Sequence, residues 1–361
     1  MVSIPVYRPY LHGQISNYVN ECLQTGWISS RGEFIGRFEE AFATYVGAEG
    51  ATSVANGTVA IHLALEALGL KPGDEVIVPT FTYIASVNTI LQTGARPVYV
   101  DSLEDTLQVD PEAVRAAITP RTRAVMVVHL YGHPCDMDAI SAICDEHGLL
   151  LVEDCAEAFG TRWRGRHVGT FGDVATFSFF GNKTITTGEG GMVLARDPEV
   201  LARCRHLKSQ GVSPVKEYWH DVLAYNYRMT NIEAAIGLSQ IELAADILDR
   251  KTRLAAAYRE RLAGLPLRCH NPIGDVTHSF WMCSVILDDG TVRDSVRQSL
   301  KDAGIDTRPF FPPAHRMPHS AAPGNFPIAD KLSGAGINLP SFPEMTQAEI
   351  DRVCDVLRKC F

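Results

Sequence analysis

The stretch FSFFGNKTITTGEGGMV, Phe177 to Val193, sets one lysine, Lys183, between an aromatic apolar run and a glycine-rich tail. A lysine amine is a nucleophile only when deprotonated, and desolvation with nearby charge is what deprotonates it. The apolar run ahead of Lys183 supplies the desolvation. Gly188, Gly190 and Gly191 leave room beside the backbone for a bulky ligand. These features suit an amine that forms a Schiff base with an aldehyde cofactor, pyridoxal phosphate (PLP). Two other readings compete. A phosphate-binding loop, G-x-x-x-x-G-K-[ST], needs glycine directly before the lysine and again five residues earlier. The chain has Asn182 and Phe177 at those places. A surface lysine in a turn is the ordinary case, and only other groups converging on the same place set it aside.

PLP chemistry needs an acid opposite the pyridine nitrogen, so that the ring stays protonated and accepts electrons. Asp154 ends the apolar run LLLVED and is a candidate, although a strand-end aspartate is also a common helix cap. A phosphate is held well by backbone amides at a helix start. ANGTVAIHLAL offers one, opened by Gly57 and Thr58, and Ser178 adds a hydroxyl. Tyr83, in PTFTYIAS, is available as an aromatic lid over the ring. Each feature alone is commonplace; the four together, in this order, are not.

The elements that must position these residues alternate. Helical apolar spacing runs over Gly57–Gly69, Thr82–Gly94, from Asp110 with Pro111 at the first helical position, and over Asp136–Gly148. Short apolar strands fall at Glu75–Pro79, Arg96–Asp101, Arg123–Leu130 and Leu149–Asp154. Near-continuous apolar strands alternating with helices predict an α/β fold, with a mostly parallel sheet covered on both faces and its ligand site at the strand carboxyl ends. After Met229 the chain reads as one long helix or a broken pair to about Leu265. A strand at Ser279–Leu287, a helix at Val292–Gly304 and a strand at Ile305–Phe311 follow. The last helix carries a Thr346/Glu349 capping box. This divides the chain into a large unit, 1–249, with mixed sheet and N-terminal segment, and a smaller α+β unit, 250–361. The proline- and glycine-rich segment Phe311–Phe342 reads as an ordered loop over a site.

The 361 residues suit two domains, and 46% hydrophobic with 21% charged residues is an ordinary globular composition. A net charge of −9 argues against a nucleic-acid partner. No apolar run approaches the roughly 20 residues that span a bilayer. The start, MVSIPVYRPYLHG, lacks the basic and apolar regions of a signal peptide. Nine dispersed cysteines with no C-x-x-C pair predict reduced thiols in the cytoplasm and no metal site.

The motifs VEDCAEAFG, GDVATFSFFGNKTITTGEGGMV and YNYRMTNIEAAIG resemble those of the DegT/StrS-type sugar aminotransferases, PLP enzymes of fold type I that act on nucleotide-linked keto sugars. The resemblance extends from TGWISSRGEFIGRFEEAFA to GINLPSFPEMTQAEI, nearly the whole chain. It implies that Lys183 carries the cofactor and shuttles the proton, that Asp154 pairs with the pyridine nitrogen, that Gly57, Thr58 and Ser178 hold the phosphate, and that Tyr83 stacks on the ring. Asn226 matches a position that reaches the cofactor phosphate of a neighbouring subunit, which implies a homodimer with shared active sites. Arg228, in the same motif, meets an anionic group or forms an interface salt bridge. Glu157 stands where many members have Gln or His; a carboxylate there needs to be protonated or turned toward a cation. The wording GWISSRGEFI, PTFTYIASVNTI and YWHDVLAYNYRMTN resembles the members that aminate a GDP-linked 4-keto-6-deoxy sugar with L-glutamate, for a surface glycan. For the sugar nucleotide, DTRPFFPPAH offers Arg308, Phe310 and His315. Trp27, Ser29, Ser30 and Arg31 form a second patch. Amination at C3 or C4 of a dTDP- or UDP-linked sugar, a PLP-dependent dehydratase and a non-catalytic sugar-nucleotide sensor are the competing readings. The dehydratases carry histidine in place of the lysine, and a sensor need not keep Lys183, Asp154 and Ser178 together.

Overall fold

A computed structural model describes residues 3–361, so the first two residues of the N-terminal segment lie outside the described residues. Seven strands form the main sheet, in the order Ala51–Val54, Gly191–Ala195, Val174–Ser178, Leu150–Asp154, Thr122–Val128, Glu75–Pro79 and Arg96–Val100. Only Gly191–Ala195 runs against its neighbours. The strands are rich in Val and Ile, whose branched side chains pack well on a pleated surface. Alternation along them feeds two cores. Val76 and Val78 pack with the helix Gly57–Ala67, while Ile77 packs with Met137 and Ile140 of the helix Met137–His147. The second face also carries Phe34, Phe38 and Phe42 of the helix Glu33–Val46, packed on Phe177 and Phe179. Burying each such ring is worth about 1.5–3 kcal/mol. The helix Asn231–Glu242 crosses the phenylalanine helix where Gly237 leaves space, since a Cβ there would lie 2.6 Å from the Phe38 ring.

Register fixes the functional edge. Val128, Asp154 and Thr176 lie side by side across three parallel strands, so the carboxyl ends of these strands are level. The turn that leads to Lys183 leaves the sheet just beyond Ser178.

The region after Met229 is a broken pair, Asn231–Glu242 and Ala244–Leu262, interrupted at Leu243. The expected boundary at 249/250 falls inside the second of these helices, whose Leu254, Tyr258 and Leu262 pack into a second core. That core covers an antiparallel sheet ordered Leu267–Cys269, Cys283–Leu287, Gly336–Leu339 and Arg308–Pro309. Ile4, from the far end of the chain, belongs to the same core and bridges Ile305. The segment Phe311–Phe342 is not a loop throughout. It holds the helix Pro327–Ala335 and the inner strand Gly336–Leu339. The Gly336 backbone passes so close to the Phe310 ring that a Cβ would lie 1.9 Å from it.

Three histidines, His133, His270 and His278, are buried together. His133 Nδ1 donates to the Pro134 carbonyl, and its Nε2 accepts the Ile273 amide. His270 Nε2 donates to the Thr106 carbonyl, and its Nδ1 faces His278 Nε2 at 3.5 Å. His278 Nδ1 accepts the Phe280 amide. Every ring is therefore satisfied as a neutral imidazole. Burial pushes His270 down to about 3 and lowers His133 and His278 as well. The unfolded chain binds protons near pH 6.5 that the folded protein refuses, so stability is full above that value and falls as pH drops below it. Each histidine contributes up to about 1.4 kcal/mol per pH unit. Thermal denaturation from about pH 7.5 to about pH 5 is predicted to lower Tm less in His278→Gln than in the parent protein; equal losses would contradict the assignment.

Candidate active site

A cavity of about 550 Å³ opens at the carboxyl ends of the main strands. Lys183, Asp154, Glu157, Gly57, Thr58, Ser178 and Tyr83 all line it. Lys183 sits in the turn after Phe180, where its amide donates to the Phe180 carbonyl. Its Nζ lies 3.9 Å from Glu157 Oε1 and 4.0 Å from the centre of the Trp281 ring. Asp154 is buried at the strand end. Ser86 Oγ donates to its Oδ2 at 2.7 Å and the Ala156 amide to its Oδ1 at 3.0 Å. Glu157 Oε2 accepts the Tyr131 amide at 2.8 Å, which leaves Oε1 toward Lys183. Tyr131 presents that amide from a left-handed backbone, φ 55°, an uncommon conformation for a bulky residue.

Burial dominates the electrostatics. It lowers the proton affinity of Lys183, against the opposing pull of Glu157 and then Asp154. It pushes Glu157 up to about 7, with Lys183 working the other way. It raises Asp154 too, opposed first by the Ser86 hydroxyl. One wall of the cavity is the start of the helix Gly57–Ala67, where Asn56 caps Val59 and the amides of Gly57 and Thr58 have no turn before them. A Cβ on Gly57 would lie 2.7 Å from Ser178 Cβ, so glycine alone allows this approach. An anion-binding helix start, a buried acid and a buried amine around one cavity fit PLP, and these same residues are the ones able to hold it.

Other expected residues lie elsewhere. Phe310 is 1% exposed and packs between Phe81 and Tyr131, so it cannot touch a ligand; its neighbour Phe311 lines the cavity instead, beside Tyr83. His315 is an internal fastener, its Nδ1 2.8 Å from Thr80 Oγ1. Arg308 pairs with Asp306 at 2.6 Å and stays outside. Asn226 is exposed and bridges Ser209. Arg228 bridges Val54 and donates to Ser30 Oγ at 3.1 Å. Trp27, Ser29 and Arg31 are exposed near Asn231, which bonds the carbonyls of Trp27 and Ser29. None of these eight residues lines the cavity. Four residues not singled out from the sequence matter here: Trp281 and Asn182 in the lining, Ser86 beneath Asp154, and Tyr7, whose hydroxyl donates to the Lys183 carbonyl at 2.8 Å. Trp281, Ser86 and Tyr7 act across long sequence separations, so no local pattern marks them, and Asn182 sits directly before Lys183.

His129, Glu153 and Cys155 come close enough to suggest a metal site. The capacity of Glu153 and His129 is already used. Glu153 accepts the amides of Gly169, Phe171 and Gly172 and faces His129 Nε2, while His129 Nδ1 accepts the Cys135 amide. Among the described residues no helix is long and apolar enough to cross a membrane, and all nine cysteines are free.

The model of the DegT/DnrJ/EryC1/StrS aminotransferase family matches residues 9–358. The chain is 50% identical to a GDP-perosamine synthase of Vibrio cholerae, over 99% of both chains. It is also 50% identical to a GDP-perosamine synthase of Escherichia coli O157:H7, over 100% of this chain and 99% of the other. Among solved structures, the aminotransferase TlmJ from Streptoalloteichus hindustanus superposes with a TM-score of 0.95 at 33% identity, covering 99% and 98% of the two chains.

Glu157 holds the Lys183 proton in place against burial. Glu157→Gln removes that charge, so the amine is predicted to titrate at lower pH than in the parent protein. Borohydride trapping of PLP on Lys183 as a function of pH, followed by peptide mass analysis, reads this midpoint. An unchanged or higher midpoint would contradict the coupling.

Proposed function

The chain belongs to the DegT/DnrJ/EryC1/StrS aminotransferase family, and on that premise we propose that it transfers an amino group from L-glutamate to C4 of GDP-4-keto-6-deoxy-D-mannose, giving GDP-perosamine. It is a PLP-dependent aminotransferase. The observation that carries the reading is the buried amine of Lys183, set against Glu157 and Trp281 in the cavity that Asp154 and the Gly57 helix start also line.

When bound, PLP supplies an electron sink for the carbon that gains or loses the amine. The rest falls to the chain. The amides of Gly57 and Thr58 and the hydroxyl of Ser178 hold the phosphate end. Asp154, kept in place by Ser86 and Ala156, offers its carboxylate to the ring nitrogen. Tyr83, beside Phe311 at the open side, would pack against the bound cofactor's ring. Lys183 Nζ gives up and recovers a proton, carrying it to and from the substrate carbon. Burial makes the amine easier to deprotonate, and Glu157 keeps a proton within reach of it.

We also propose a homodimer with shared sites. Among the described residues the cavity is lined by Asp154, Glu157 and Glu189 against Lys183 as its one cation, yet phosphate, diphosphate and glutamate are anions. Further positive charge has to come from outside the cavity of one chain. The exposed segment 212–223 supplies the contact surface: Val215, Tyr218 and Leu223 are 92%, 96% and 90% exposed, an arrangement that favours burial against a second copy. Asn226 and Arg228 adjoin that segment, and Arg31 lies near Arg228 through Ser30. Nine free thiols suit a reducing compartment, the cytoplasm.

Incubation with glutamate and each of the GDP-, dTDP- and UDP-linked 4-keto-6-deoxy sugars is predicted to yield an aminated GDP-sugar fastest, by mass spectrometry. Lys183→Ala is predicted to lose that turnover by at least about 10³-fold. Faster amination of a dTDP- or UDP-sugar would overturn the acceptor, and near-normal turnover in Lys183→Ala would overturn the mechanism.

A further inference from the structure

Lys251 is a buried cation that the transamination chemistry does not use. It lies on the helix Ala244–Leu262, 1% exposed, and among the described residues no carboxylate pairs with it. Burial pushes its ammonium down to about 8. A buried ammonium without a counter-ion is costly, so its hydrogen-bond partners decide what it is for. Nζ donates to the Ser341 carbonyl at 2.7 Å and to the Trp281 carbonyl at 3.2 Å, and it lies 5.1 Å from the centre of the Tyr7 ring.

Trp281 and Tyr7 are the two side chains that grip the backbone of the reactive lysine. Trp281 Nε1 donates to the Asn182 carbonyl at 2.8 Å, and the Tyr7 hydroxyl donates to the next carbonyl, that of Lys183 itself, at 2.8 Å. The same indole lies against Lys183 Nζ. Three distant parts of the chain thus meet at one ammonium: the N-terminal segment, the strap before the strand Cys283–Leu287, and the turn at Ser341. Phe280, next to Trp281, adopts a left-handed backbone, φ 50°, and stacks on His278, so the strap enters this junction in an uncommon conformation.

We propose that Lys251 is a positioning residue for Lys183, holding Trp281 and Tyr7 so that they fix the lysine's backbone and place the indole against its amine. The proposal rests on the reading of Lys183 as the cofactor-bearing amine. Lys251 touches neither substrate nor cofactor; it acts through the two aromatic side chains.

The test uses full-length protein stripped of cofactor, with PLP as the probe and the rate of borohydride-trapped label at Lys183 as the readout. Lys251→Met and Trp281→Phe are each expected to slow labelling about tenfold, in line with the cost of misplacing a reacting group. The double variant is expected to be about as slow as either single one, because residues acting through one another are non-additive. A merely stabilising lysine would instead give multiplied effects, about a hundredfold together, or none in the folded protein. Should Lys251→Met fail to fold, Lys251→Leu removes the donor in the same way, and the same comparison with Trp281→Phe decides. Labelling at the parent rate in a folded Lys251 variant, or multiplied effects, overturns the positioning role alone. Labelling of the parent protein on a lysine other than Lys183 overturns the underlying reading and the positioning role with it.

Discussion

A buried lysine amine held near two carboxylates in the cavity at the sheet edge is the constraint on which this structure turns. Left to relax, the Lys183 ammonium and Glu157 would settle into a tight ion pair, and the amine would be spent. The fold prevents this by anchoring the partners elsewhere. Tyr131 takes one oxygen of Glu157, Ser86 and Ala156 take both of Asp154, and the nearest Lys183–Glu157 approach remains 3.9 Å. Burial then works on all three groups together, lowering the amine and raising the acids, which narrows the gap between their proton affinities. A narrower gap makes the proton easier to move, which a proton-shuttling amine requires.

Each anchor belongs to a different layer of the fold. Asp154 is placed by strand register between Val128 and Thr176, and Ser86 by the helix Ile84–Gln92 that covers one sheet face. Tyr131 follows the end of the strand Thr122–Val128 and is itself packed by Phe310 and Phe81. The second unit contributes through Trp281 and through the Phe310 side of its short strand. The ion-holding wall at Gly57 depends on the absence of one Cβ. The chemistry is therefore assembled at the edge of the main sheet, while the surroundings of the amine are completed from the other unit and the N-terminal segment.

Much of this was legible because the signals are local. The strand–helix alternation carried the parallel sheet, and the runs LLLVED and ANGT placed Asp154 and Gly57 at a strand end and a helix start. Residues acting across the chain were not legible. Ser86 reads as one more helix residue, Tyr7 as part of an undistinguished leader, and Trp281 as part of an apolar strand. The choice of Phe310 over Phe311 shows the cost of a parity error. Adjacent side chains in extended backbone point to opposite sides, so the ring assigned to the cavity is in the core and its neighbour faces the site. The segment Phe311–Phe342 misled for another reason. Its prolines and glycines punctuate a real helix and an inner strand, and Gly336 is required there by contact with Phe310, not by a turn. Arg308 and His315 have the right chemistry for an anion but are committed to Asp306 and Thr80.

The central claim is that Lys183 anchors PLP in this cavity and exchanges an amine there. An absorption spectrum of the purified protein, taken with PLP before and after L-glutamate, tests it most directly. The account predicts a visible band of the lysine-bound cofactor that bleaches on adding glutamate, with release of 2-oxoglutarate in proportion. A band that glutamate leaves unchanged, or no band with PLP in excess, would contradict it.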